Sequence, residues 1–105
     1  MATSQTATNN TATTNCAAML KVLADETRLA VVEQLLLGPK HVGQINQTLR
    51  VEQSLLSHHL KVLREAGMVE AQRDGKSVLY RLTPAVDGAR QGRALNLGCC
   101  LISFD

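Results

Sequence analysis

Three thiols and one helical face carry the groups in this chain whose types and spacing could do chemistry. The thiols are Cys16 and the adjacent pair Cys99 and Cys100. Thiolates are soft ligands, and a trigonal As(III) or Sb(III) ion takes three of them, whereas Zn(II) prefers four ligands. The same groups react with oxidants and persulfide donors. Neighbouring side chains in a regular strand face opposite ways, so Cys99 and Cys100 could share one ion only if Gly98 permits a local kink. Cys16, from the same chain or a second copy, is the candidate third thiolate. The plain alternative is that Cys99 and Cys100 are small buried hydrophobes. An odd number of cysteines argues against a disulfide framework and leaves thiols available.

The helical face lies in residues 51–67. With a 3.6-residue period, Leu56, Leu60 and Leu63 form an apolar stripe widened by Val62 and Ala66. The opposite side carries Ser54, Ser57, His58 and Lys61, with Arg64 beyond them. Small hydrogen-bonding groups followed by cations suit a helix in a DNA groove. Gln53, Ser54, Ser57 and His58 occupy the first two turns and are candidates for base edges; Gln can pair bidentately with adenine. Lys61 and Arg64 are candidates for phosphates. An ordinary amphipathic surface helix would share the pattern, so the flanking elements decide between the two readings.

Other chemistry finds less support. His58 and His59 are adjacent, which points their rings about 100° apart on a helix, and no third ligand is close in sequence. His59 falls on the side of Leu55, Val62 and Ala66, where a packed, hydrogen-bonded histidine is expected. The chain has no Cys-x-x-Cys, no glycine-rich phosphate loop and no paired carboxylates on one face, so it is not read as an enzyme.

The elements that position these groups follow from local signals. Residues 1–14 are a Thr/Ala/Asn tail without charged side chains and are expected to be disordered. Thr14 or Asn15 can cap a helix starting near Cys16 that is apolar nearly all round, which places it in a core or a subunit interface. Asp25 can cap the next helix, whose buried stripe includes Leu29, Val32 and Leu36, and Gly38-Pro39 stops it. A short helix over 42–49 and a brief connection lead into the helix described above. Two short helices joined by a tight turn make a helix-turn-helix. After Gly67 come two alternating runs around Asp74-Gly75, the strongest local hairpin signal. Arg73 and Lys76 flank its tip and are placed at phosphates or nearby minor-groove edges. A cationic hairpin directly after a helix-turn-helix is a wing, and this combination favours the DNA reading.

Charge agrees. The net charge is only +2, but residues 40–81 hold seven cations against four acids. The 105-residue length suits one small domain, and a core of Leu, Val and Ala with one Tyr and one Phe suits packed helices. No apolar run approaches a membrane span, and the first 15 residues lack the features of a secretory or transit signal, so the expected location is cytoplasmic.

Residues 16–83 resemble the ArsR/SmtB family of bacterial winged-helix repressors. The resemblance rests on residues 23–29 (Leu23-Ala24-Asp25-Glu26-Thr27-Arg28-Leu29), on residues 57–69 from Ser57-His58-His59-Leu60 to Met68-Val69, and on Asp74-Gly75-Lys76 through Tyr80-Arg81-Leu82. It implies a mainly α fold with a small β-hairpin, a homodimer, and double-stranded operator DNA bound by helix and wing. It also implies release when a metal ion, metalloid or thiol oxidant meets a regulatory site, without a permanent cofactor. Two departures stand out. The family's Cys-x-Cys pair before the turn aligns with His41 and Gly43, and no histidine follows His59 to supply a site on the last helix. A soft-ion sensor must therefore use Cys16, Cys99 and Cys100, with As(III) or Sb(III) ahead of Zn(II). Gly88, Gly92 and Gly98 interrupt the segment where the family continues into a long helix. At most a short helix is expected over 85–91, followed by an extended, half-buried strand. The expected organisation is a tail at 1–14, a winged helix-turn-helix domain at 15–83, and a C-terminal segment at 84–105 for dimer contact or thiol sensing. A persulfide-responsive, redox-responsive or ligand-independent regulator is the alternative.

Overall fold

The computed structural model describes residues 15–88 and 93–104. The expectation for the tail at 1–14 lies outside them.

Helix α1 covers residues 15–23. Leu23 is buried and Met19 and Val22 pack on the core, but Ala17, Ala18 and Leu20 face outward. The helix is therefore apolar on both sides and buries only one of them. Helix α2 (Glu26–Leu35) starts at Asp25, whose carboxylate accepts from the Arg28 backbone N–H at 3.0 Å and satisfies one orphan donor of the first turn. Val31, Val32 and Leu35 are its buried residues, with Leu29 and Leu36 half-buried beside them, so its stripe is centred slightly off the expected one. The chain then reverses at Gly38 (φ 134).

Strand β1 (Lys40–His41) was not legible from periodicity because it is only two residues long. Helix α3 (Val42–Leu49) buries Ile45. Its end is shaped by Arg50, in the left-handed region at φ 55, and by Asn46. The Asn46 side chain donates to the Val51 carbonyl and accepts from the Val51 N–H, both at 2.9 Å. That clamp makes the tight turn between the two helices. Helix α4 (Gln53–Glu65) buries Leu56, His59, Leu60 and Leu63. After Ala66 it ends with the Met68 N–H returning to the Leu63 carbonyl at 3.0 Å.

Strands β2 (Val69–Asp74) and β3 (Ser77–Leu82) form the hairpin, and β1 adds to the other edge of β3 in a fully antiparallel sheet of order β1-β3-β2. The turn is displaced by one residue from the expected Asp74-Gly75. Asp74 pairs with Ser77, leaving Gly75 (φ 63) and Lys76 as the loop. Glycine takes the first loop position because a tight hairpin there needs positive φ.

The C-terminal segment differs most from expectation. Residues 84–88 form a turn and a bridge between Asp87 and Leu95 in place of the helix expected over 85–91, of which 89–91 lie outside the described residues. A Cβ at Gly88 would sit 2.6 Å from the Ala94 carbonyl oxygen, so this close antiparallel approach of the two backbones requires glycine. The extended run is folded back as a second hairpin, β4 (Ala94–Asn96) with β5 (Leu101–Ser103). Gly98 at φ 85 allows the two-residue turn in which the Leu97 N–H donates to the Cys100 carbonyl at 2.9 Å. Val86, Leu95 and Leu97 join the same core as α2 and α4. The hairpin thus supplies apolar cover where a helix was absent.

Candidate nucleic-acid interface and thiol cluster

The outer face of α4 is built by burying the other side. With Leu56, Leu60 and Leu63 in the core, Gln53, Ser54, Ser57, His58, Lys61 and Arg64 are all exposed. Ser54 is partly committed, since its hydroxyl donates to Glu52 Oε1 at 2.5 Å. A shallow groove of about 340 Å³ between α3 and the start of α4 is lined by Gly43, Asn46, Gln47 and Gln53. Gln47 is exposed there and was not singled out from the sequence.

The wing presents Arg73 and Lys76, both exposed. The strands themselves hold Arg81, which pairs with Gln72 and lies 4.0 Å from Glu70. Lys61, Arg64, Arg73 and Lys76 have no such ion pair with another described residue. Unpaired cations are free to neutralise phosphates without first losing a carboxylate.

His59 is buried among the core residues, as its helical side predicts. Its Nδ1 lies 3.1 Å from an Arg28 guanidinium nitrogen. Because guanidinium only donates, Nδ1 accepts and the ring carries its proton on Nε2. Asp25 lies 4.0 Å from the same nitrogen. The Asp25 carboxyl is held below its ordinary range, chiefly by the hydrogen bond from the Arg28 backbone N–H, against the opposing effect of desolvation, and with help from the Arg28 charge and the Thr27 backbone N–H. Arg28 belongs to the Leu23–Leu29 stretch that carries the family resemblance. Its place three residues after a helix-capping Asp was the available signal, but its side-chain partners are 6 and 31 residues away.

The three cysteines meet. Cys16 and Cys99, 83 positions apart, are joined by a disulfide with Cα atoms 6.3 Å apart. This corrects the expectation of unbridged thiols. The second hairpin folds back onto α1, a proximity that cysteine counting does not reveal. Cys100 is free and exposed, its sulfur 3.8 Å from that of Cys99. All three sulfurs lie within 4.8 Å of one another, the one such group of three among the described residues. The kink needed at Gly98 is present as the hairpin turn. In the bridged form only Cys100 retains a thiol. His41 and Gly43 stand at the start of α3, and His41 faces the wing.

The description "Bacterial regulatory protein, arsR family" matches residues 25–71. The transcriptional repressor SmtB of Mycobacterium tuberculosis is 44% identical over 64 residues, covering 61% of this chain and 47% of the relative. The match thus spans about half the length of that relative. Among solved structures, reduced HlyU from Vibrio cholerae has a TM-score of 0.71 at 31% identity, covering 77% of this chain and 85% of that one. A homodimeric winged helix-turn-helix DNA-binding domain from Mycobacterium bovis, a possible ArsR-family regulator, has a TM-score of 0.64 at 28% identity, covering 70% and 68%.

Proposed function

This chain belongs to the ArsR family of bacterial regulatory proteins, and from that premise we propose that it is a sequence-specific transcriptional repressor acting as a homodimer. The observation that carries the reading is the exposed row Gln53, Ser57, His58, Lys61 and Arg64 on α4, continued by Arg73 and Lys76 at the wing. Two copies of α4 enter successive major grooves about 34 Å apart on a pseudo-palindromic operator. The outward apolar residues of α1, Ala17, Ala18 and Leu20, support pairing with a second copy, and the Mycobacterium bovis domain is a homodimer. Among the described residues no helix is long and apolar enough to cross a membrane. A cytoplasmic location fits an operator-binding protein.

The effector is thiol-reactive. Convergence of the Cys16, Cys99 and Cys100 sulfurs supports capture of a trivalent arsenical or Sb(III) by the reduced protein, with Zn(II) less favoured because three thiolates leave its fourth position unfilled. The Cys16–Cys99 bridge supports a second reading, in which oxidation or persulfidation of the same cysteines releases DNA. In either case the effector must bind or stabilise the released state more tightly by a few kcal/mol.

A gel shift with the promoter upstream of its own gene, using reduced protein, tests both levels. As(III), Zn(II), a persulfide donor and a disulfide oxidant are added in separate arms. Release by As(III) alone supports the metalloid reading, and release by the donor or oxidant supports the second. If none shifts the complex, and Cys99→Ser with Cys100→Ser changes nothing, the sensor reading is wrong. Wild-type affinity after replacing Gln53, Ser57, Lys61 and Lys76 together by Ala would overturn the DNA assignment.

A further inference from the structure

One guanidinium spans the gap between the helix that bears Cys16 and the buried side of the DNA-facing helix. Arg28 Nε donates to the Val22 carbonyl at 2.6 Å, and its Nη1 donates to His59 Nδ1 at 3.1 Å. Val22 lies in the last turn of α1, where carbonyls have no intrahelical partner. His59 projects inward from α4 within the same stretch that presents Ser57, His58 and Lys61 outward. The arginine is itself fixed, because its backbone N–H caps onto Asp25 at 3.0 Å. A planar fork can hold two acceptors at set angles, so displacement of either one is felt by the other.

The far end of α1 is the thiol cluster. Cys16 sits in its first described turn, six residues before Val22, so the two are about 9 Å apart along a helix rising 1.5 Å per residue. The short helix α1 is held at Cys16 by the Cys99 bridge and at Val22 by Arg28. Breaking or restoring the bridge removes or restores the first of these restraints, and the Val22 carbonyl is where the helix meets Arg28.

We propose that Arg28 is the positioning residue that transmits the covalent state of Cys16 to α4, through the Val22 carbonyl on one side and His59 on the other. The proposal rests on the thiol-controlled reading of the preceding subsection. It names the element through which that control reaches the DNA face. Nothing passes along the chain of contacts except geometry. The chemical step is confined to the cysteines, where a dithiol reductant breaks the Cys16–Cys99 bond, leaves two thiols and ends as its own disulfide.

The test is a coupling measurement on the full chain, since spatial continuity alone does not establish coupling. Operator affinity is measured for the bridged and the dithiothreitol-reduced forms of wild type, Arg28→Lys and His59→Leu. Lysine keeps the charge but lacks the planar fork that presents two separate nitrogens to the two acceptors; leucine keeps the burial but removes the acceptor. The wild-type affinities of the two forms are expected to differ tenfold or more, and the ratio to fall within about twofold in each variant. By reciprocity, operator DNA shifts the midpoint potential of the Cys16–Cys99 couple by about 30 mV for each tenfold of coupling, and this shift vanishes in the variants. Without DNA, the His59 imidazole ¹⁵N shifts differ between bridged and reduced wild type, and its Nδ1 loses the dependence in Arg28→Lys. A purely structural role would lower stability without removing these differences. A preserved affinity ratio in a folded variant, or His59 shifts indifferent to the thiol state, overturns the proposal alone. Wild-type operator affinity indifferent to the Cys16–Cys99 bridge overturns the redox reading and this proposal with it, and leaves the metalloid reading to the effector arms above.

Discussion

His41 Nε2 lies 2.7 Å from Asp74 Oδ2, joining the start of α3 to the last strand residue before the wing turn. The contact is reinforced by the pairing of His41 with Leu79 in the β1–β3 ladder. The wing and the helix-turn-helix are therefore tied together, with Lys76 at the wing tip two residues from the contact. Since a protein reads DNA with groups held in register, fixing the tip lowers the ordering cost of binding.

Asp74→Ala removes that tie. Both partners are substantially exposed, so the loss of global stability is expected to stay below about 1 kcal/mol. The local effect is larger: backbone order at Gly75 and Lys76, read by ¹⁵N relaxation, falls, and operator affinity falls with it. Unchanged order parameters at the tip would show that strand pairing alone holds the wing.

The DNA contacts proposed for α4 and the wing fall into two classes that should separate by salt and by sequence. Lys61→Ala and Lys76→Ala should each weaken binding to all sequences and reduce the salt slope by about one unit in a fluorescence titration. Gln53→Ala and Ser57→Ala should instead relax preference at particular base pairs, by about 1–3 kcal/mol for a lost bidentate or well-placed contact. Ser54→Ala should relax it less, because the Ser54 hydroxyl already donates to Glu52. Equal salt dependence for all five variants would remove the division between base and phosphate contacts.

Gly88→Ala places a methyl group 2.6 Å from the Ala94 carbonyl oxygen, and this atom is backbone in a paired strand that cannot swing aside. The substitution is expected to cost about 1–3 kcal/mol, as overpacked sites do. Thermal unfolding monitored by circular dichroism measures it, with a lowered midpoint expected. An unchanged midpoint would mean that the pairing of residues 86–88 with β4 relaxes freely.

Asp25→Ala removes the cap of α2 and is expected to cost about 0.5–2 kcal/mol at neutral pH. The Asp25 carboxyl is held below its ordinary value, chiefly by the Arg28 backbone N–H. Its contribution is therefore fully present above the unfolded value of about 3.9 and lost as pH falls through the lower folded value. Urea midpoints of wild type and variant should accordingly converge below about pH 4. A gap that stays constant down to pH 2 would contradict the assignment.

What could be read from the sequence alone depends on groups three or four residues apart. The Asp25 cap, the stop at Gly38-Pro39, the apolar period of Leu56, Leu60 and Leu63, and the hairpin signal at Asp74-Gly75 each act within one turn of chain, and together they specify a winged helix-turn-helix with its polar face outward. Even there the turn shifted to Gly75-Lys76, because the final pairing of Asp74 with Ser77 is settled by the ladder as a whole. The terminal glycines argued correctly against a long helix, yet they did not reveal a hairpin, whose strands are stable only with Val86, Leu95 and Leu97 packed into the core. The meeting of Cys16 with Cys99 and of Arg28 with His59, across 83 and 31 positions, was decided by tertiary structure alone. Local spacing sets which face of an element is apolar, but only the packing of those faces determines which distant side chains come within bonding distance.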